Sequence, residues 1–221
     1  GINTFSIGFK NWEKSEHKYA EKVSEIYKTN HFTEILNSNS LNILDELMYY
    51  YDEPIADISI IPTYFACKLA STKNKSILSG EGGDEFFAGY SWHKEYLWEV
   101  SRPEIKNAKK WNWDLPINNF DIDSYSKAMA MGEFDKKELK FLLNKNYHED
   151  IPTDTQEFYK KYFDPKTSKA KRFQIIDTKA FMGELVLTKM DRASMANSLE
   201  VRLPFLKKEI CEKMLSLDTE K

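Results

Sequence analysis

Ser76-Ile77-Leu78-Ser79-Gly80-Glu81-Gly82-Gly83-Asp84-Glu85 is the stretch on which the fold reading turns. A brief strand, Ser76 to Leu78, runs into a loop holding three of the chain's eight glycines within four positions, and a helix begins near Asp84. Ligands of open α/β sheets sit at the carboxyl edge of the strands. Glycines there let the backbone approach a ligand closely and turn successive N–H groups toward an anion. The helix start adds the positive end of its dipole. The loop also carries Glu81, Asp84 and Glu85. Carboxylates repel phosphate unless a cation stands between them, and Mg²⁺ takes hard oxygen ligands together with phosphate oxygens. The loop therefore reads as a Mg²⁺-nucleotide site. Taken by itself, a tight turn with solvated acids explains it equally well.

Working outward, Ile2, Phe5, Ile7 and Phe9 mark a strand. Residues 14–29 read as a helix with Tyr19, Ala20, Val23, Ile26 and Tyr27 on its buried stripe. His31 to Leu36 is a second strand. Ser40 is the expected N-cap of a helix burying Leu41, Leu44, Leu47, Met48 and Tyr51, which Pro54 stops. Pro62 suits the first turn of the next helix, through Tyr64, Phe65 and Leu69 to Ala70. This alternation points to a parallel α/β sheet. After about residue 90 no strand is expected. Residues 100–123 read as an irregular connection rich in tryptophan. Helices are expected after the capping-box spacing Asp135 to Glu138, around 154–163, and over 168–200 with Phe173, Ile176, Ala180 and Leu187 on one face. Leu203-Pro204 ends that region, and a short helix carries Ile210, Met214 and Leu217. The expectation is one compact unit, a sheet-bearing first part followed by a helical second part.

Composition narrows the function. The 221 residues carry 32 Lys+Arg against 35 Asp+Glu, a net charge of −3, which argues against nucleic-acid or anionic-membrane partners. A 14% aromatic share excludes disorder across the whole chain. No apolar run reaches the roughly 18–20 residues of a membrane helix, and the opening Gly1-Ile2-Asn3-Thr4 is not a signal peptide. Cys67 and Cys211, far apart, imply neither a disulfide framework nor a zinc site, and favour a cytoplasmic location.

The string Gly82-Gly83-Asp84-Glu85-Phe86 spells the signature of diguanylate cyclases, in which it sits at a hairpin with strands on both sides. Here an aromatic, helical-looking segment follows instead, and the upstream pattern of that family is missing. The longer string from Ser79 to Tyr90 closely resembles a signature of the glutamine-hydrolysing asparagine synthetase family. Asp191-Arg192-Ala193-Ser194-Met195-Ala196-Asn197-Ser198-Leu199-Glu200-Val201-Arg202-Leu203-Pro204-Phe205-Leu206 is similar to a second. Asp52-Glu53-Pro54-Ile55-Ala56-Asp57-Ile58-Ser59 with Pro62-Thr63-Tyr64 is similar to a third. Three matches in order are more specific than any one of them.

The resemblance implies an α/β fold with part of the parallel sheet of the PP-loop ATP pyrophosphatase (adenine nucleotide alpha hydrolase-like) type, followed by a helical C-terminal part. It implies a ligase half in which ATP activates the side-chain carboxylate of aspartate as β-aspartyl-AMP, and ammonia then displaces AMP. ATP and Mg²⁺ are the implied cofactors. Asp84 matches the metal ligand, Ser79 and Gly80 adenylate contacts, and Ile7 an apolar contact to adenine. Glu81 matches an acid that handles incoming ammonia, Arg192 a cation for pyrophosphate, and Tyr90 a tyrosine near the reacting carboxylate. Plainer readings stand beside these. Glu200 and Arg202 form a structural ion pair, Met190 and Met195 fill core gaps, Lys189 is a surface lysine rather than a second phosphate contact, and the four histidines show no ligand spacing.

The family's Ser-Gly-Gly-x-Asp-Ser signature and its N-terminal glutaminase domain have no counterpart here. The resemblance thus implies a truncated synthetase domain over 1–221 that is inactive alone, exposes apolar faces, and has the glutaminase domain and a second copy as candidate partners. A synthetase of the amidotransferase or β-lactam type acting on another carboxylate, a diguanylate cyclase, and a non-catalytic nucleotide-binding module are the rival functions.

Overall fold

The computed structural model describes residues 1–55, 57–90, 93, 122, 125, 136–151 and 157–217. The expectations for 100–123 and for Asp135 lie outside these residues. Two compact units emerge: Gly1–Glu81 with Leu185–Pro204, and Gly82–Glu184 with Phe205–Lys221. This corrects the expectation of one compact unit with sheet and helices in succession, because 185–204 returns to the sheet-bearing unit.

In the first unit, β1 (Asn3–Phe9) pairs in parallel with β2 (Asn30–Leu36), from Asn3↔Asn30 to Phe9↔Leu36. β3 (Ser76–Leu78) pairs in parallel with β4 (Glu200–Arg202). Among the described residues the parallel sheet is thus two separate pairs of strands. Side chains alternate along β1. Phe5 stacks on Phe32 across the ladder and joins the core, while Thr4 and Ser6 on the other face bond His31 at 2.9 and 3.0 Å.

The core is built by α2 (Leu44–Tyr51), α3 (Ile60–Ser71) and α8 (Leu187–Ala196). Ile60, Tyr64, Cys67 and Ala70 recur along α3 at helical spacing, and all are buried with Leu47, Tyr51, Ala193 and Leu199. Pro62 sits in the first turn of α3, where a missing N–H leaves no bond unmade. Each fully buried large apolar side chain contributes roughly 1.5–3 kcal/mol.

The second unit is helical in its described residues: α4 (Gly83–Phe87), α5 (Lys136–Leu142), α6 (Glu157–Lys160), α7 (Lys169–Ile176), a π-helix over Asp177–Val186 that runs into α8, and α9 (Lys208–Ser216). Tyr125, Phe173, Ile176 and Ala180 form its buried centre, with Tyr159, Tyr162 and Phe163 around them. No helix among the described residues is long and apolar enough to cross a membrane.

Three expectations need correction. The segment 14–29 does form a helix, α1 (His17–Tyr27), but Tyr19, Val23, Ile26 and Tyr27 are exposed. Its inner face is His17, Ala20 and Ser24, because the sheet face it meets is polar. Ser24 bonds Thr29, which bonds Thr4, both at 2.8 Å. Ser40 is not an N-cap. It is the third residue of a 3₁₀ turn (Ser38–Ile43) capped by Asn37, and Leu41, Leu44 and Met48 remain exposed. The region 168–200 is not helical to its end. After Ala196 the chain passes through Ser198 at φ +51° into β4, the strand that no reading of residues past 90 anticipated.

Candidate active site

β4 fixes the start of the glycine loop. The Ser79 N–H donates to the Arg202 carbonyl at 3.0 Å, which extends the β3–β4 ladder by one bond. Ser79 and Glu81 are half-buried, and Gly80 is exposed with no atom within 4 Å of where a side chain would start. Glu81 lies near Cys67. Burial, and then the charge of Glu81, push that thiol up to about 11. The first unit thus offers Ser79, Gly80 and Glu81 at the carboxyl end of a parallel strand, as the sequence suggested.

The second unit carries the rest of the loop. Gly82 adopts φ +89°, and a β-carbon there would stand 2.3 Å from Leu206 Cδ2, so no other residue fits without displacement. α4 then begins, but it lasts five residues and ends at Ala88 in the left-handed region, so the expected helix dipole is that of a single turn. Asp84 is exposed. A β-carbon on Gly89 would stand 1.7 Å from Asp84 Oδ1, so Gly89 provides the space that this carboxylate occupies. Glu85 is only 2% exposed and accepts a 2.7 Å hydrogen bond from the Tyr90 hydroxyl. Burial and the bond to Glu85 hold that phenol protonated far above its ordinary range. The structure therefore separates the three loop acids: Glu85 is withdrawn onto Tyr90, Glu81 is half-buried, and Asp84 faces solvent.

Ile7 is half-buried on β1, opposite Glu34 in the register. Arg192 is exposed on α8, and its Nη1 donates to Asp52 Oδ2 at 3.2 Å. Asp52 caps α2 at φ +63°. Arg202 and Glu200 do form the expected ion pair, at 2.9 Å and exposed. Met190 packs against the core, whereas Met195 is exposed.

Lys189 overturns its reading as a surface lysine. It is buried, and its ammonium donates to Asp57 Oδ2 at 3.0 Å and to Ser59 Oγ at 2.6 Å. The Tyr51 hydroxyl donates to the Lys189 carbonyl at 3.0 Å. Burial raises the Asp57 carboxyl, but the Ser59 hydroxyl and N–H together with Lys189 outweigh it and hold the group below its usual range. The signal in the sequence is Asp57-Ile58-Ser59 within the third motif.

A shallow cleft of about 470 Å³ opens beyond the carboxyl ends of β1 and β2, lined by Lys10, Asn11, Asn37, Ser38 and Asn39. Sequence reasoning missed it, although it lies where α/β sheets take ligands.

Among the described residues no three His, Cys, Asp or Glu side chains converge as a protein-built metal site. The exposed carboxylate of Asp84 fits a Mg²⁺ ion that arrives on phosphate oxygens, since Mg²⁺ keeps its waters and takes only one or two carboxylates. Among the described residues, the hairpin expected of a diguanylate cyclase is not found. Gly82–Phe86 follows a strand whose partner is the distant, parallel β4, and it opens a helix.

The family model described as asparagine synthase matches residues 1–221. The chain belongs to the asparagine synthase family. It is 26% identical over 225 residues to asparagine synthetase [glutamine-hydrolyzing] 1 of Bacillus subtilis, covering 95% of this chain and 35% of that protein. It is 28% identical over 228 residues to a putative asparagine synthetase [glutamine-hydrolyzing] of Mycobacterium tuberculosis, covering 94% and 34%. A Methanocaldococcus jannaschii relative of the same putative description is 37% identical over 93 residues, 42% of this chain and 18% of the relative. The chain spans about a third of the length of the first relatives it matches.

Proposed function

We propose that this chain is the nucleotide-handling part of an ATP-dependent amide-forming ligase that converts aspartate to asparagine. The observation that carries the reading is the Ser79-Gly80-Glu81 segment at the carboxyl end of β3, open at Gly80; the next acid along the chain, Asp84, is exposed in the second unit. When bound, Mg²⁺-ATP supplies an electrophilic α-phosphorus and a neutralised pyrophosphate leaving group.

The chain's own residues divide the remaining work. Ser79 and Gly80 hold the adenylate against exposed backbone, and Ile7 offers an apolar contact to the purine. Asp84, kept in place by the space at Gly89, holds the metal. Arg192 exchanges Asp52 for pyrophosphate oxygens, an exchange that an exposed pair permits at a cost of about 0–1 kcal/mol. Lys189, one turn earlier on α8, is paired with Asp57 and braces the helix that carries Arg192. Of its three ammonium hydrogens, two are engaged by Asp57 and Ser59. The carboxylate of aspartate attacks phosphorus and pyrophosphate departs. Ammonia then attacks the acyl carbon, AMP leaves, and Glu81 takes the proton that the nitrogen sheds. The ammonia comes from glutamine on a glutaminase domain of the natural polypeptide, a reading supported by the glutamine-hydrolysing description of the relatives.

The test is pyrophosphate release from ATP by the natural-length protein. Aspartate-dependent release is expected. Asp84→Asn abolishes it, whereas Glu81→Gln spares release and blocks asparagine formation. Release that ignores aspartate but follows another carboxylic acid would reassign the substrate, and no release with any acid would overturn the ligase reading.

A further inference from the structure

The second unit buries a polar cluster for which the reaction above has no use. Asp177, fully buried at the first position of the π-helix, bonds His93 Nε2 through Oδ2 and accepts the Tyr125 hydroxyl at Oδ1. His93 and Tyr125 are themselves buried, at 5% and 0% exposure. The His93 ring meets Tyr90 edge to face at 5.4 Å and Phe173 at 6.0 Å, and Tyr90 meets Phe181 of the π-helix at 5.7 Å. Tyr90 in turn holds Glu85, the neighbour of Asp84. A second tie runs from the buried Gln174 amide to the Phe86 carbonyl at 3.4 Å.

We propose that Asp177 is a positioning residue. Through His93 it fixes the ring of Tyr90, and through Tyr90 and Glu85 it fixes the turn that presents the Asp84 carboxylate. Apolar side chains of similar volume would stabilise such a core at least as well as a buried carboxylate. A buried cluster joined by hydrogen bonds instead favours one arrangement of the segments that meet in it. Three segments distant in sequence meet here, and a π-helix, an uncommon element found disproportionately at functional sites, supplies the carboxylate. The consequence for catalysis rests on the proposed function, whereas the consequence for the turn does not.

The test is hydrogen exchange in the natural-length protein. Two amides report closure of the turn: Phe86, bonded to the Gly82 carbonyl at 3.2 Å, and Gly89, bonded to the Asp84 carbonyl at 3.0 Å. Asp177→Asn keeps the shape and removes the charge. It is expected to speed exchange at both amides about tenfold, the scale of one hydrogen bond to a charged group, while Cys211 in α9, bonded to the Lys207 carbonyl, is unchanged. Tyr90→Phe cuts the link to Glu85 and should give the same local increase, and the double variant no more than either alone. Unchanged exchange at Phe86 and Gly89, an equal rise at Cys211, or multiplying effects in the double variant would each overturn the inference. The Mg²⁺ dependence of ATP binding, measured on the same variants, separates the two readings. A faster turn together with a severalfold higher Mg²⁺ requirement supports both. A faster turn with unaltered Mg²⁺ dependence supports the positioning role and overturns the metal role of Asp84.

Discussion

Replacing Lys189 by methionine removes a cation and keeps most of the volume of the side chain. Asp57 is 5% exposed and Lys189 8%, so the variant strands a carboxylate that water does not reach. Removing one partner of a buried pair costs about 3–5 kcal/mol. The Ser59 hydroxyl and N–H still reach Asp57 Oδ1, at 2.6 and 2.8 Å, which places the expected loss near the lower end, about 3 kcal/mol. At a denaturant slope of about 2 kcal/mol/M, the urea midpoint of the first unit should fall by about 1.5 M. Lys208→Met, at an exposed lysine, should stay within about 0.5 kcal/mol. Acid sharpens the test. The folded pKa of Asp57 is lowered, so the stability this group contributes is complete above its unfolded value of about 3.9 and is lost as pH falls through the folded value. Without Lys189 that loss should begin at higher pH, and Asp57→Asn should remove this component in either background. A Lys189→Met variant within 1 kcal/mol of the parent, with an unshifted acid limb, would refute the buried pair.

Gly89→Ala puts a methyl group into the space held by the Asp84 carboxylate. It should weaken Mg²⁺-dependent ATP binding about a hundredfold, the scale of a 1 Å misplacement. Arg192→Ala should cost at most about 1 kcal/mol in urea unfolding, because its pair with Asp52 is exposed, yet sharply reduce pyrophosphate release by the natural-length protein. At pH 8, iodoacetamide should modify Cys211 and leave buried Cys67 untouched until the chain unfolds. Because the folded pKa of Cys67 is raised to about 11, its protonated form favours the folded state, and that contribution should fade as pH climbs from about 9 toward 11 in alkaline urea titrations.

The strands before residue 80 were legible because alternation, proline and glycine signal them locally. The face of α1 was not. A hydrophobic stripe locates a helix but names its buried side only if the surface beneath is apolar, and here Thr4, Ser6 and His31 present hydroxyls and a ring nitrogen. Strand β4 hid behind charges. Glu200 and Arg202 look like a helix end, yet Leu199, Val201 and Leu203 alternate with them, and Leu199 is fully buried. That period of two was in the sequence, obscured by the long helical reading around it.

At the loop, motif letters named residue types, but partners decided their roles. Asp84 and Glu85 are adjacent acids that read alike as metal ligands. Once a helix starts at Gly83 they cannot act alike, since consecutive helical residues do not share a face. One of the two must turn inward, and an inward carboxylate needs a donor. Tyr90, five residues on, supplies it to Glu85, which leaves Asp84 as the acid directed outward. The same logic applies on α8. Lys189 reads as a surface lysine and Arg192 as a cation for pyrophosphate, but Asp57 is buried and Asp52 exposed, so the Lys189 pair supports the fold and the Arg192 pair is free to exchange partners. Burial of the partner, which no motif spells out, sets the role of each charge.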